Sequence, residues 1–118
     1  MISTMVIDST VIDMLRGLRM DGDPDPLVEL SETFVVESAM RMQQLAAALD
    51  AGDVKTLRRA AHSLKGMSAT VGAMQLSQMS RDIEYADAGT LNRTRVDALE
   101  QEVERVAEAL SSAAGLLY

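Results

Sequence analysis

Both prolines of the chain fall in one tetrapeptide, Asp23-Pro24-Asp25-Pro26. Everything after it is free to run as helix, because proline breaks a helix interior by removing a backbone donor and clashing with the carbonyl one turn earlier. The remaining punctuation is regular, with Gly22, Gly52, Gly72 and Gly89 falling between stretches of apolar periodicity. Within those stretches apolar residues recur at three- and four-residue spacing and never alternate, which predicts helices and no strand. Composition agrees. Of 118 residues 3% are aromatic, and Leu, Ala, Val and nine Met provide the apolar mass, a palette of packed helices rather than of a sandwich or barrel. The length suits one compact domain over residues 1–118.

Five helical segments follow from the pattern. The first runs from Ser9 or Thr10 to Arg19 with Val11, Ile12, Leu15 and Leu18 apolar, too short to stand alone and suited to covering one end of a bundle. The second opens near Pro26 and continues to about Leu49, with Leu27, Leu30, Phe34, Leu45 and Leu49 on one stripe that Ser38 weakens at its middle. Asp53 caps the third, Val54 to Val71, which ends at Gly72 where a left-handed residue is expected. The fourth, Ala73 to Ala86, places Leu76, Met79, Ile83 and Ala86 on one face. Thr90 or Thr94 is the expected cap of the fifth, whose Val96, Leu99, Val103, Val106, Leu110, Ala113 and Leu117 keep heptad spacing. Short connections between long amphipathic helices imply an all-α, antiparallel up-and-down four-helix bundle with a short additional N-terminal helix. The methionines read as core filler.

The inventory of side chains excludes much chemistry. With no Cys and one His, zinc sites, iron–sulfur clusters, disulfides and thiol nucleophiles lack their ligands. Eleven basic against 18 acidic residues give a net charge of -7, which repels phosphate backbones and anionic membranes. Neither nucleic acid nor direct membrane binding is expected. No stretch approaches the roughly 18 continuous apolar residues of a membrane span. The opening Met1-Ile2-Ser3-Thr4-Met5 has no positively charged region and does not read as a secretory signal, so the expected location is cytoplasmic.

The third helix carries the chemical information. With Leu64 at the centre of the buried stripe and Leu57, Ala61, Ser68 and Val71 around it, His62 lies about 160° away and points into solvent. The same outward half carries Lys55, Arg58, Arg59 and Lys65, including both lysines of the chain, so the only histidine sits in a positive patch on an acidic protein. A solvated face with a chance histidine would explain the charges. Gly66 argues otherwise: glycine inside a helix costs about 1 kcal/mol relative to Ala, and here it occupies the exposed face one turn after His62, where packing does not require it. A missing side chain there leaves the imidazole open to a bulky partner, with Lys65 alongside to neutralise negative charge.

The run Ala61-His62-Ser63-Leu64-Lys65-Gly66-Met67-Ser68-Ala69-Thr70-Val71-Gly72 resembles the signature of histidine-containing phosphotransfer (HPt) domains, His-x-Leu-Lys-Gly-x-Ser followed by a helix-ending Gly. The likeness extends over nearly the whole chain, including Ala51-Gly52-Asp53 and the pattern Met74 to Glu84. Met67 departs from it, since many members have a small residue there. The resemblance implies that His62 is reversibly phosphorylated, with Lys65 neutralising the phosphoryl group and Gly66 giving a receiver domain access. Glu84 matches a position that often holds Gln or Glu near the imidazole; an ordinary solvated glutamate is the other reading. Arg58 and Arg59 are the remaining candidate supports.

In this reading the chain is a phosphocarrier, not an enzyme that turns over ATP. It shows no Gly-rich phosphate loop and no acidic Mg²⁺ pocket, so it has no cofactor of its own and Mg²⁺ is expected on the receiver. The implied partners are response-regulator receivers and a hybrid sensor histidine kinase, of which the chain could itself be a part, docking on an apolar patch from the first helix and the facing turns of the second and third. A monomer is expected. The alternatives are the phosphoryl-accepting domain of a chemotaxis-type kinase, a dimerising kinase helix pair, and a receiver-binding module without chemistry. The helix pair is disfavoured because Ser63 and Met67 stand where that motif has an acidic residue and a proline.

Overall fold

A computed structural model describes residues 6–18, 22 and 25–115. They form α1 (Ser9–Gly17), α2 (Pro26–Ala51), α3 (Val54–Thr70), α4 (Met74–Glu84) and α5 (Arg93–Ala113), with a single 3₁₀ turn at Ala88–Thr90 before α5 and no strand among the described residues. α3 packs between α2 and α4, and α5 closes the bundle against both of them.

The helix boundaries follow local chemistry. Asp25 accepts a hydrogen bond from the Leu27 amide with Pro26 in the first turn, and Asp53 accepts one from the Thr56 amide, so each carboxylate satisfies a donor that its helix leaves unpaired. Gly52 and Asp53 turn the chain from α2 into α3, Gly52 taking the left-handed conformation at φ 70° that ends α2. α5 departs from expectation. Neither Thr90 nor Thr94 caps it; Asn92 does, its side-chain oxygen accepting from the Arg95 amide, while Thr90 is used in the 3₁₀ turn, where its hydroxyl donates to the Asp87 carbonyl. α4 is shorter than its apolar pattern predicts and stops at Glu84, leaving Ala86 outside. Arg19 and Leu117, the predicted far ends of the first and last stripes, lie outside the described residues.

Leu27, Leu45, Leu57, Leu64, Leu76, Leu99 and Leu110 form the fully buried centre of the core. Ser38, which breaks the stripe of α2, is nevertheless buried, as are Ser68 and Ser80. Each donates its hydroxyl to a carbonyl of its own helix, so a small polar residue enters the core without an unpaired donor. Only half of the described methionines serve the core. Met42 is buried and Met67 and Met79 pack at its edge, but Met14, Met40 and Met74 are exposed.

α1 lies across one end of the bundle, as its length predicts. The Asp8 amide donates to the Gly72 carbonyl at 2.9 Å, and Arg16 donates to the Ala113 carbonyl at the end of α5, also at 2.9 Å. Gly72 has φ +76°, and a Cβ there would come within 2.8 Å of Val11 Cγ2, so the turn between α3 and α4 requires glycine both for its backbone and for the seat of α1.

Candidate functional site

α3 and α4 run antiparallel, and three contacts fix their register. Ser77 donates its hydroxyl to the Lys65 carbonyl at 3.2 Å, His62 meets Glu84, and Arg58 donates to the Ala86 carbonyl at 2.9 Å, residue numbers falling on α3 as they rise on α4. The last residue of α4 is thereby delivered beside the middle of α3.

His62 is the most open member of the site, with 65% of its side chain accessible against 13% for Glu84. Its Nδ1 lies 2.7 Å from Glu84 Oε2. Lys65 Nζ lies 2.9 Å from the other carboxylate oxygen, Oε1, which is buried and receives no aligned hydrogen bond, so the approach is an ion pair rather than a directed bond. Burial works to raise the Glu84 pKa, but Lys65 and His62 outweigh it and hold the carboxyl below the usual value of 4.5. Lys65 is shifted the opposite way, above its usual 10.5, chiefly by Glu84. Glu84 is therefore ionised and Lys65 charged at neutral pH. An ionised carboxylate only accepts hydrogen bonds, so the neutral imidazole must carry its proton on Nδ1 and present an unprotonated Nε2. The arrangement makes Nε2 a nucleophile of fixed orientation.

Of the residues singled out from sequence, His62, Lys65 and Glu84 are brought together, and the solvated reading of Glu84 falls away. Gly66 is exposed, and a Cβ added to it would meet nothing within 4 Å, so the fold itself does not demand glycine there. Arg58 and Arg59 are not gathered around the imidazole. The Arg58 guanidinium holds the chain leaving α4, and the charge of Arg59, with that of Lys55, helps keep the Asp53 carboxyl below its usual range, where hydrogen bonding from Thr56 is the main cause.

Between them α2 and α3 leave an open groove of about 440 Å³, reached by Ser63, whose apolar floor includes Leu30, Phe34, Met67 and Val71. No residue of α1 lines this groove. Sequence reasoning also missed Tyr85, the exposed residue directly after α4, whose ring centroid lies 5.3 Å from Lys65 Nζ and 5.9 Å from Arg81 Cζ. Its signal was available: a large aromatic directly after the candidate Glu84, in a chain with only two Tyr and one Phe. Among the described residues no group of three or more His, Asp or Glu gathers in a way that could hold a metal, and no helix is long and apolar enough to cross a membrane.

A family profile for the Hpt domain matches residues 29–109. Among solved structures, the histidine-containing phosphotransfer protein B (HptB) of Pseudomonas aeruginosa PAO1 superposes with a TM-score of 0.77 at 33% sequence identity, covering 91% of this chain and 92% of that one. Comparison with curated proteins gives no match at a significant level.

Proposed function

The chain belongs to the Hpt domain family and works as a histidine phosphocarrier of the phosphorelay type; we propose that His62 is the residue that carries the phosphoryl group, taking it from a receiver-domain aspartate and passing it to another receiver. One observation carries this reading: an exposed imidazole whose Nδ1 is engaged by a partly buried, ionised carboxylate at 2.7 Å. The Nε2 lone pair attacks phosphorus opposite the aspartyl oxygen, the N–P bond forms as the P–O bond breaks, and the aspartate leaves as carboxylate. The imidazole gains positive charge in this step, and Glu84 across Nδ1–H offsets it. Lys65, one turn along α3 from His62, is the cation that offsets the charge of the arriving phosphoryl group. The reverse sequence on a second receiver returns the group.

The domain brings a nucleophile and one lysine, while phosphoryl transfer at useful rates also needs divalent metal charge on the transferred group. Mg²⁺ is assigned to the receiver, whose aspartate holds the phosphoryl group, so most of the catalysis lies with the partner. Access at Gly66 and the apolar groove between α2 and α3 support a receiver that docks over His62. A hybrid sensor kinase is the natural upstream source, and a cytoplasmic address suits both partners.

The test is incubation with a panel of phosphorylated receivers, followed by acid-lability analysis of the label. Wild-type protein is expected to take an acid-labile label, and His62→Gln, which changes an exposed side chain, to fold normally and take none. Label retained on the variant, or acid-stable label on the wild type, would exclude His62.

A further inference from the structure

Lys65 is held at two points, and only one of them is the glutamate. Its ammonium lies 2.9 Å from Glu84 Oε1 and 5.3 Å from the centroid of the Tyr85 ring, within the range at which an aromatic face attracts a cation. Arg81, one turn earlier on α4, lies 5.9 Å from the same ring, so a second cation from the ring's own helix fixes it in place. Tyr85 makes these contacts while 67% exposed, which a residue serving only the core would not be.

A lysine has four rotatable bonds and a strongly hydrated head, so left to itself it samples many positions around a helix. Glu84 alone would draw the ammonium inward onto a buried oxygen. The ring counters this with a face that attracts the charge without neutralising it. We infer that Tyr85 is a positioning residue for phosphoryl transfer, holding Lys65 beside His62 by its ring face so that the ammonium is poised for the incoming phosphoryl group. This rests on His62 being the phosphorylated residue.

A small phosphoryl donor, phosphoramidate, separates positioning from docking, because it has no surface to dock. In this reaction His62 Nε2 attacks phosphorus, the N–P bond to histidine forms, and the donor's P–N bond breaks with departure of ammonia. Labelling rates would be compared for wild type, Tyr85→Phe and Tyr85→Leu, with His62→Gln as control. Tyr85→Phe keeps the ring and should label at the wild-type rate; Tyr85→Leu should label about two- to fivefold more slowly, the range expected for loss of an exposed cation–π contact. In parallel, the Lys65 side-chain proton resonances should show a ring-current shift in wild type and Tyr85→Phe that Tyr85→Leu abolishes. Wild-type labelling by Tyr85→Leu, or equal loss in both variants, overturns the assignment. Equal loss would mean that the hydroxyl matters and not the ring. Wild-type protein that takes no label, or a His62→Gln control that takes as much, refutes His62 as the phosphorylated residue, and the Tyr85 inference falls with it.

Discussion

Glu84 does two things with one carboxylate, and their pH dependence can be worked out from its shift. A carboxyl whose pKa is lower folded than unfolded stabilises the fold above its unfolded value and loses that contribution as pH falls through the folded one. Lys65, raised on folding, contributes below its unfolded value and loses it as pH rises through the folded one. The clamp is therefore intact between the ordinary values of 4.5 and 10.5 and fails outside them at both ends. The difference in melting temperature between wild type and Glu84→Gln should be present at neutral pH and shrink on the acid side as Glu84 protonates; a difference that persists unchanged at pH 3 would show that the charge is not what stabilises. Gln still offers Nδ1–H a neutral acceptor, so transfer should fall about tenfold rather than vanish. Gly66 gives the complementary case. Gly66→Gln replaces an exposed helical glycine by a good helix former with empty space around the new Cβ, and should raise stability by up to about 1 kcal/mol. The same side chain projects beside His62 into the path of a receiver. Melting temperature should rise while transfer from a receiver falls and labelling by phosphoramidate stays at the wild-type rate. If receiver transfer is also unchanged, access is not the reason for this glycine.

Elements are where sequence and structure can be compared residue by residue. Gly72→Ala should be among the most damaging small substitutions, because φ +76° disfavours any side chain and the added methyl would press on Val11 and Asp8 of the N-terminal segment. Several kcal/mol of stability should be lost, with a thermal transition lowered by about 10 °C or more; a melting temperature within about 2 °C of wild type would show that α1 is not seated as described. That glycine was legible as a helix stop, but the second demand on it, the close approach of α1, comes from a segment about sixty positions earlier in the chain and leaves no local trace. All five helices were legible because their apolar spacing is a local property. The cap of α5 was not, since Thr90, Asn92 and Thr94 all suit a cap and only the 3₁₀ turn, which occupies Thr90, selects Asn92. His62, Lys65 and Gly66 could be found from rotation about one helix. The pairing of Glu84 with His62 and Lys65 depends on the register between α3 and α4, set by contacts such as Ser77 to the Lys65 carbonyl that no periodicity encodes. The contacts of Arg58 and Arg59 were illegible for the same reason: the outward half of a helix is wide, and what each guanidinium touches is decided by its neighbours.

At the scale of the whole molecule, the question is what surface remains once the stripes have been buried. Among the described residues the exposed large apolar ones are Met14 and Leu18 on and just after α1, Val36 and Met40 on α2, Met74 at the start of α4 and Tyr85 just past its end. They are spread over three helices, whereas a stable dimer buries on the order of 800 Å² per partner around a contiguous apolar centre. The heptad residues of α5, the helix whose pattern could most easily zip onto a second copy, are spent inside the bundle: Val96, Leu99, Val103, Val106 and Leu110 are all buried. A net charge of -7 adds repulsion between copies. The protein should therefore sediment as a 12.7 kDa monomer at micromolar concentration. Charge alone could produce that result at low ionic strength, so the decisive measurement is at about 0.5 M salt, where repulsion between surface charges is screened beyond a few ångströms. A monomer there means that no surface is apolar enough to self-associate, and the groove between α2 and α3 is left open for a partner. A stable dimer under the same conditions would place that groove or the Val36–Met40 face inside a self-interface.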